Sequence, residues 1–155
     1  MRVPIFKRTA AILLLTLCVC AVSCRSEEPQ PANPSGERVE LPGQDAEPEE
    51  VLRSYLACLQ CGDSVTYMKL FADKNAAWSF TPAFQGPQEI RNVLLEECEP
   101  GTGGERYWKV TYLARVDERG NWNPQGEQEE EICQYPCLIQ TGKGWKIKTL
   151  QGRVS

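Results

Sequence analysis

Between Tyr107 and Val116 the apolar character of the chain alternates residue by residue. Trp108, Val110, Tyr112, Ala114 and Val116 fall on one side, and Tyr107, Lys109, Thr111, Leu113 and Arg115 on the other. An extended strand presents such a period of two as one greasy face, whereas a helix of about 3.6 residues per turn would scatter it round its circumference. A strand cannot bury one face alone, and the residues that follow supply its neighbours. Asp117 to Gly126 reads as a polar turn, Glu127 to Gln140 as a second strand, Gly142-Lys143-Gly144 as a tight turn and Trp145 to Leu150 as a further strand. An antiparallel sheet is therefore expected in the second half of the chain.

Upstream the period is helical. Val51, Leu52, Tyr55, Leu56, Cys58 and Leu59 recur at the spacing of one helix face, and Pro48, Glu49 and Glu50 suit a helix N-terminus. Gly62 should end that helix, and Asp63 can cap a second one carrying Val65, Tyr67, Met68, Leu70 and Phe71. The stretch Asn75 to Pro87 mixes Trp78, Phe80 and Phe84 with Pro82, Gly86 and Pro87 and reads as a short strand and a loop. Ile90, Val93 and Leu94 then predict a third short helix over Gln88 to Cys98, closed by Pro100-Gly101 and Gly103-Gly104. Helices first and a sheet afterwards is an α+β layout, here over residues 49–155.

The N-terminus bears on location. Arg2, Lys7 and Arg8 precede an apolar run from Ala10 to Val22, the arrangement of a secretory signal over residues 1–23. The run is short for a transmembrane helix, which needs about 20 apolar residues. Ala21-Val22-Ser23-Cys24 resembles a bacterial lipobox, in which the cysteine is acylated and becomes the first residue of the mature protein; Ala21 stands where that motif usually has Leu. The resemblance implies lipidation of Cys24 and a membrane partner held through the lipid. Two or three acyl chains hold firmly, because each buried methylene contributes about 0.8 kcal/mol. Arg25 follows Cys24 in place of the Asp that retains such proteins at the inner membrane, so the expected location is the cell envelope, at the outer membrane, on its periplasmic or surface face.

Residues 24–48 hold Pro29, Pro31, Pro34, Pro42 and Pro48 with few apolar side chains, and read as a flexible tether. Of the chain's 155 residues this leaves about one small domain. The first 23 residues hold three basic side chains and no acid, so the remainder carries 14 basic against 21 acidic residues, a formal charge of -7. Nucleic-acid binding rests on clustered Lys and Arg, and none is present, so no nucleic-acid partner is expected.

With Glu49-Glu50-Val51 and Tyr55, then Gly62-Asp63, then a long strand, then Gly144-Trp145-Lys146-Ile147, the chain resembles small bacterial lipoprotein domains of the nuclear transport factor 2-like superfamily, which share a shape with cystatin-like folds. The likeness covers about residues 49–151. It implies a curved antiparallel sheet wrapped around the opening helices as a cone, with Gly62-Asp63 at the helix junction and Trp145-Lys146-Ile147 in the sheet. Both motifs are architectural. A homodimer is a further implication of the resemblance.

The chain contains no histidine, which removes the commonest general base and metal ligand. Enzymes of that shape use a carboxylate inside the cone opposite a Tyr or Trp donor, and Asp73 with Tyr67, Trp78 or Tyr112 could take those parts in a small isomerase- or dehydratase-like enzyme. Nothing in their spacing selects them, so the leading expectation is a non-catalytic module that binds a small ligand or an envelope protein, with no cofactor. Cys58-x-x-Cys61 and Cys133-x-x-x-Cys137 could form disulfides in an exported protein, stay as buried or free thiols, or hold zinc, and a bridge from the strand to the helix is one option. No metal site is expected. A redox-active Cys58-Cys61 pair is disfavoured, because such pairs sit at helix N-termini and this one falls at a C-terminal end. The run Glu127, Glu129, Glu130 and Glu131 reads as a solvated strand start. Trp78, Tyr112 and Trp122 are the candidate ligand contacts, Trp122 foremost, because it lies in a polar turn between Asn121 and Asn123.

Overall fold

The computed structural model describes residues 36–80 and 87–154. Cys24, the signal segment and the first part of the tether lie outside the described residues. Three helices, α1 (Pro48–Cys61), α2 (Ser64–Leu70) and α3 (Lys74–Phe80), precede four strands, β1 (Arg91–Glu97), β2 (Arg106–Val116), β3 (Gln128–Thr141) and β4 (Gly144–Val154). The fold class is α+β.

Local chemistry starts and stops α1. Glu47 accepts from the backbone of the first turn while Glu50 returns a carboxylate to the Glu47 N–H at 3.0 Å, and Pro48 occupies a position where a missing N–H costs nothing. Gly62, at φ 76°, takes the left-handed conformation that closes the helix. Val51, Leu52, Tyr55, Leu56 and Leu59 form its buried stripe. Each such side chain contributes roughly 1.5–3 kcal/mol on burial, against about 0–1 kcal/mol for a surface ion pair such as Arg53–Glu49. Packing therefore holds α1 in place. Asp63 caps α2, accepting from the Thr66 N–H at 3.0 Å.

The strands form one antiparallel sheet in the order β1-β2-β3-β4. The expected alternation of β2 is observed: Trp108, Val110, Tyr112, Ala114 and Val116 are buried against the helices, and their neighbours turn outward. Leu138, Ile147 and Leu150 extend the inner face across β3 and β4. The outer edge of β4 is covered after α2, where Phe71 bridges Ile147 and the Ala72 N–H donates to the Ile147 carbonyl at 2.9 Å. β1 is the opposite edge, and among the described residues no strand pairs with its free side.

Two elements differ from expectation. Residues 74–80 are helical, begun by Asp73, whose side chain accepts from the Asn75 N–H at 2.9 Å. The third helix expected over Gln88 to Cys98 is instead strand β1. Ile90, Val93 and Leu94 match a helix stripe in spacing, but Ile90 is buried before the strand begins while Val93 and Leu94 are exposed. Pairing with β2 satisfies the backbone groups on one side of this segment, and a bulge between Arg91 and Leu94, with Asn92 at φ 53°, sets the register.

Part of the stretch expected as tether is tied to the domain. The Val39 N–H donates to Asp63 Oδ2 at 2.9 Å, Thr66 Oγ1 donates to the Val39 carbonyl at 3.2 Å, and Gln44 Nε2 donates to the Gly142 carbonyl at 3.1 Å. None of the described helices is long and apolar enough to cross a membrane.

Candidate interaction surface

Side chains from both layers meet between helices and sheet. Tyr55, Tyr67, Leu52, Leu59, Leu70, Leu138 and Ile147 are all under 2% exposed. Within this core the Tyr55 hydroxyl donates to Gln134 Oε1 at 3.0 Å, and Tyr112 hydrogen-bonds to Tyr55. Burial holds the Tyr55 and Tyr112 phenols well above their ordinary range, so these hydroxyls act as neutral structural donors. Asp63 is the buried carboxylate among the described residues, and its two oxygens serve the Thr66 and Val39 N–H groups. Asp73 is exposed at the start of α3, where its side chain accepts from the Asn75 N–H.

Of the candidate ligand contacts, Tyr112 and Trp122 have described side chains. Tyr112 is 2% exposed and packed in the core. Trp122 is half-buried: it bridges Val116, packs against the core, and has its indole N–H buried without a partner. The side chain of Trp78 lies outside the described residues. A groove of about 280 Å³ opens to solvent between residues 40–46 and α1, lined by Glu40, Leu41, Pro42 and Glu50 among others.

Among the described residues Cys58, Cys98, Cys133 and Cys137 carry thiols outside any disulfide. Cys58 is in the core and Cys61 one turn later; burial, reinforced by the Asp63 charge, pushes the Cys58 thiol far up, which opposes thiolate chemistry. Cys133 pairs with Thr111 on the sheet face turned away from the helices, so a bridge from it to α1 would have to pass through the sheet. Cys133 and Cys137 lie four strand positions apart, about 13 Å at the usual rise, against a Cα separation of at most about 7 Å in a disulfide. Among the described residues no group of His, Cys, Asp or Glu could hold a metal ion.

What the fold does assemble is the outer face of the sheet, which none of the described helices covers. Cross-strand pairing aligns Glu96, Lys109, Tyr135 and Gln151 in one row, with Tyr107, Cys137 and Thr149 on one side of it and Leu94, Thr111 and Cys133 on the other. Leu94 is 51% exposed, Tyr135 45% and Tyr107 37%, three of the most exposed large hydrophobic side chains. Charges frame them: Lys109–Glu96 at 3.5 Å, and the contacts Lys148–Glu105 and Arg91–Glu129. The Tyr107 hydroxyl donates to Glu105 at 2.6 Å. Hydrogen bonds first from Lys148 and then from Tyr107 hold the Glu105 carboxyl below its usual value, so this rim stays charged. Surface patches with exposed tyrosines inside a polar rim have the make-up of protein contact sites.

The sequence signal for this face was the second half of the same alternation. Tyr107 and Tyr135 occupy the parity opposite to the core, whereas Leu94 was hidden by the helical reading of its segment. No family model, curated protein or solved structure matches the chain.

Proposed function

We propose that this chain is an envelope lipoprotein, anchored through acylated Cys24, whose domain is a non-catalytic interaction module docking envelope proteins on the outer face of its sheet. The exposure of Leu94, Tyr107 and Tyr135 on a sheet face that no described helix covers is the observation that supports it. We read the helices packed against the antiparallel sheet as a variant of the nuclear transport factor 2-like shape.

Two measurements test the two halves. Metabolic labelling with a fatty-acid analogue should mark the wild-type chain and leave Cys24→Ala unmarked; an unlabelled wild type overturns the anchor. A photo-crosslinking residue at Tyr135 should give discrete adducts in the envelope, and the same residue at Arg53 on α1 should not; equal patterns from both sites, or none from either, overturn the docking face.

A further inference from the structure

We propose that Lys69, Lys74, Lys143 and Lys146, gathered along the covered edge of β4, form a docking surface for the anionic headgroups of the membrane that holds the anchor, and so stand the sheet edge-on with β1 pointing away. The inference rests on reading Cys24 as acylated, and adds to the lipid a second, electrostatic contact that orients the domain.

Six lysines fall among the described residues. Lys109 pairs with Glu96 and Lys148 with Glu105. The other four enter no ion pair among the described residues, and the fold brings them to one edge. Phe71 and Ala72 run along Ile147, so Lys69 at the end of α2 and Lys74 at the start of α3 flank the segment that covers β4. Lys146 Nζ donates to the Lys69 carbonyl at 2.8 Å, and Lys143 sits in the turn that opens β4. Lys69, Lys74 and Lys143 are exposed. Burial, and after it the Lys143 charge, lowers the pKa of the Lys146 ammonium, as expected of like charges held close without a counter-ion. Asp45 and Asp73, the acids beside Gln44 and Lys74 in the chain, pair with none of the four.

The anchor approaches this same edge. Val39 is held by Asp63 and Thr66 at the start of α2, one turn before Lys69, and Gln44 by Gly142, next to Lys143. Cys24 precedes Gly36 by 12 residues, which reach at most about 40 Å. The acidic balance of the mature chain does not oppose the contact, because charges farther than about 8 Å from the surface are screened at physiological salt. The anchor has already brought the domain to the membrane, so the side chains that touch headgroups decide how it sits. Lysine suits phosphate there as a compact charge on a long stem, and its attraction to an anionic leaflet is short-ranged. With β4 toward the membrane, Leu94 and Tyr135 on the outer face stay open to a protein partner.

The test inserts the acylated full chain, purified from envelopes, into preformed vesicles of phosphatidylcholine alone or of equal parts phosphatidylcholine and phosphatidylglycerol. A membrane-impermeant amine-acylating reagent then marks lysines, read by peptide mass spectrometry. On the anionic vesicles Lys69, Lys74 and Lys143 should react at least about fivefold more slowly than on the neutral ones, with Lys109 unchanged, and high salt should abolish the difference. The double variant Lys69→Glu with Lys143→Glu, both at exposed positions, should restore the reactivity of Lys74. Inorganic phosphate added over neutral vesicles should protect none of them. Equal rates on both vesicles, protection shared by Lys109, protection that survives high salt, or protection by phosphate alone overturns the docking edge. Flotation separates the two readings: a chain that floats with both vesicles but reacts alike on them loses only this inference, and one that floats with neither loses the anchor and this inference together.

Discussion

Asp63 does two jobs with one carboxylate: Oδ1 caps α2 through the Thr66 N–H, and Oδ2 holds the Val39 N–H from 24 residues upstream. Burial alone would raise its pKa, but the hydrogen bonds from Thr66 and Val39, aided by the Arg38 charge, outweigh burial and hold it below the usual value. The sign follows from linkage. A carboxyl that titrates lower folded than unfolded gives stability that is full above the unfolded pKa, about 3.9, and is lost as pH falls through the folded value. Asp63→Ala should cost about 2–3 kcal/mol in urea unfolding at pH 7, a lost cap plus an orphaned donor, and the stability gap between wild type and Asp63→Asn should narrow between pH 7 and pH 3. A gap that is flat with pH would remove the ionic role. Tyr55→Phe strands Gln134 Oε1 in the core and should cost about 1–2 kcal/mol by the same measurement. The cap at Asp63 was legible, because Asp before a helical run is a local signal; its hold on Val39 was not, because no local pattern marks a contact across 24 residues.

Strand β1 and helix α3 show where short elements escape their own sequence. Ile90, Val93 and Leu94 fit a helix as well as a strand, and a segment of seven residues offers too few turns for spacing to decide. The exposed groups on the outer edge of β2 decide it, since β1 supplies their ladder and adds the Glu96–Lys109 and Glu97–Arg106 pairs. In α3 the aromatics masked a plain start signal at Asp73. The β2–β3 connection depends on close approach at Gly126, where an added Cβ would lie 2.0 Å from the Val116 carbonyl oxygen. Gly126→Ala must therefore move backbone, and a loss of about 1–3 kcal/mol, seen as a lower thermal midpoint, is expected. An unchanged midpoint would show that the loop can yield.

Across the whole molecule the segment 36–47 behaves as part of the body. Val39 packs against the core, and Gln44 lies so close to Gly144 that a Cβ there would stand 2.9 Å from its carbonyl oxygen. A chain shortened to begin at Ala46 loses two hydrogen bonds at Val39 and one at Gln44, and should be less stable by about 2–3 kcal/mol. Equal denaturant midpoints for the two lengths would show that the strap contributes nothing. The α+β class, the cap at Asp63, the stop at Gly62 and the two faces of β2 were all readable from residues a few positions apart, because capping, glycine conformation and strand parity are local physics. The meaning of the outer parity was settled by the assembled sheet: the described helices pack on one side, which buries Trp108, Val110 and Tyr112 and leaves Leu94, Tyr107 and Tyr135 exposed. Which of two faces meets water depends on what packs against the other, and that is a long-range property of the fold.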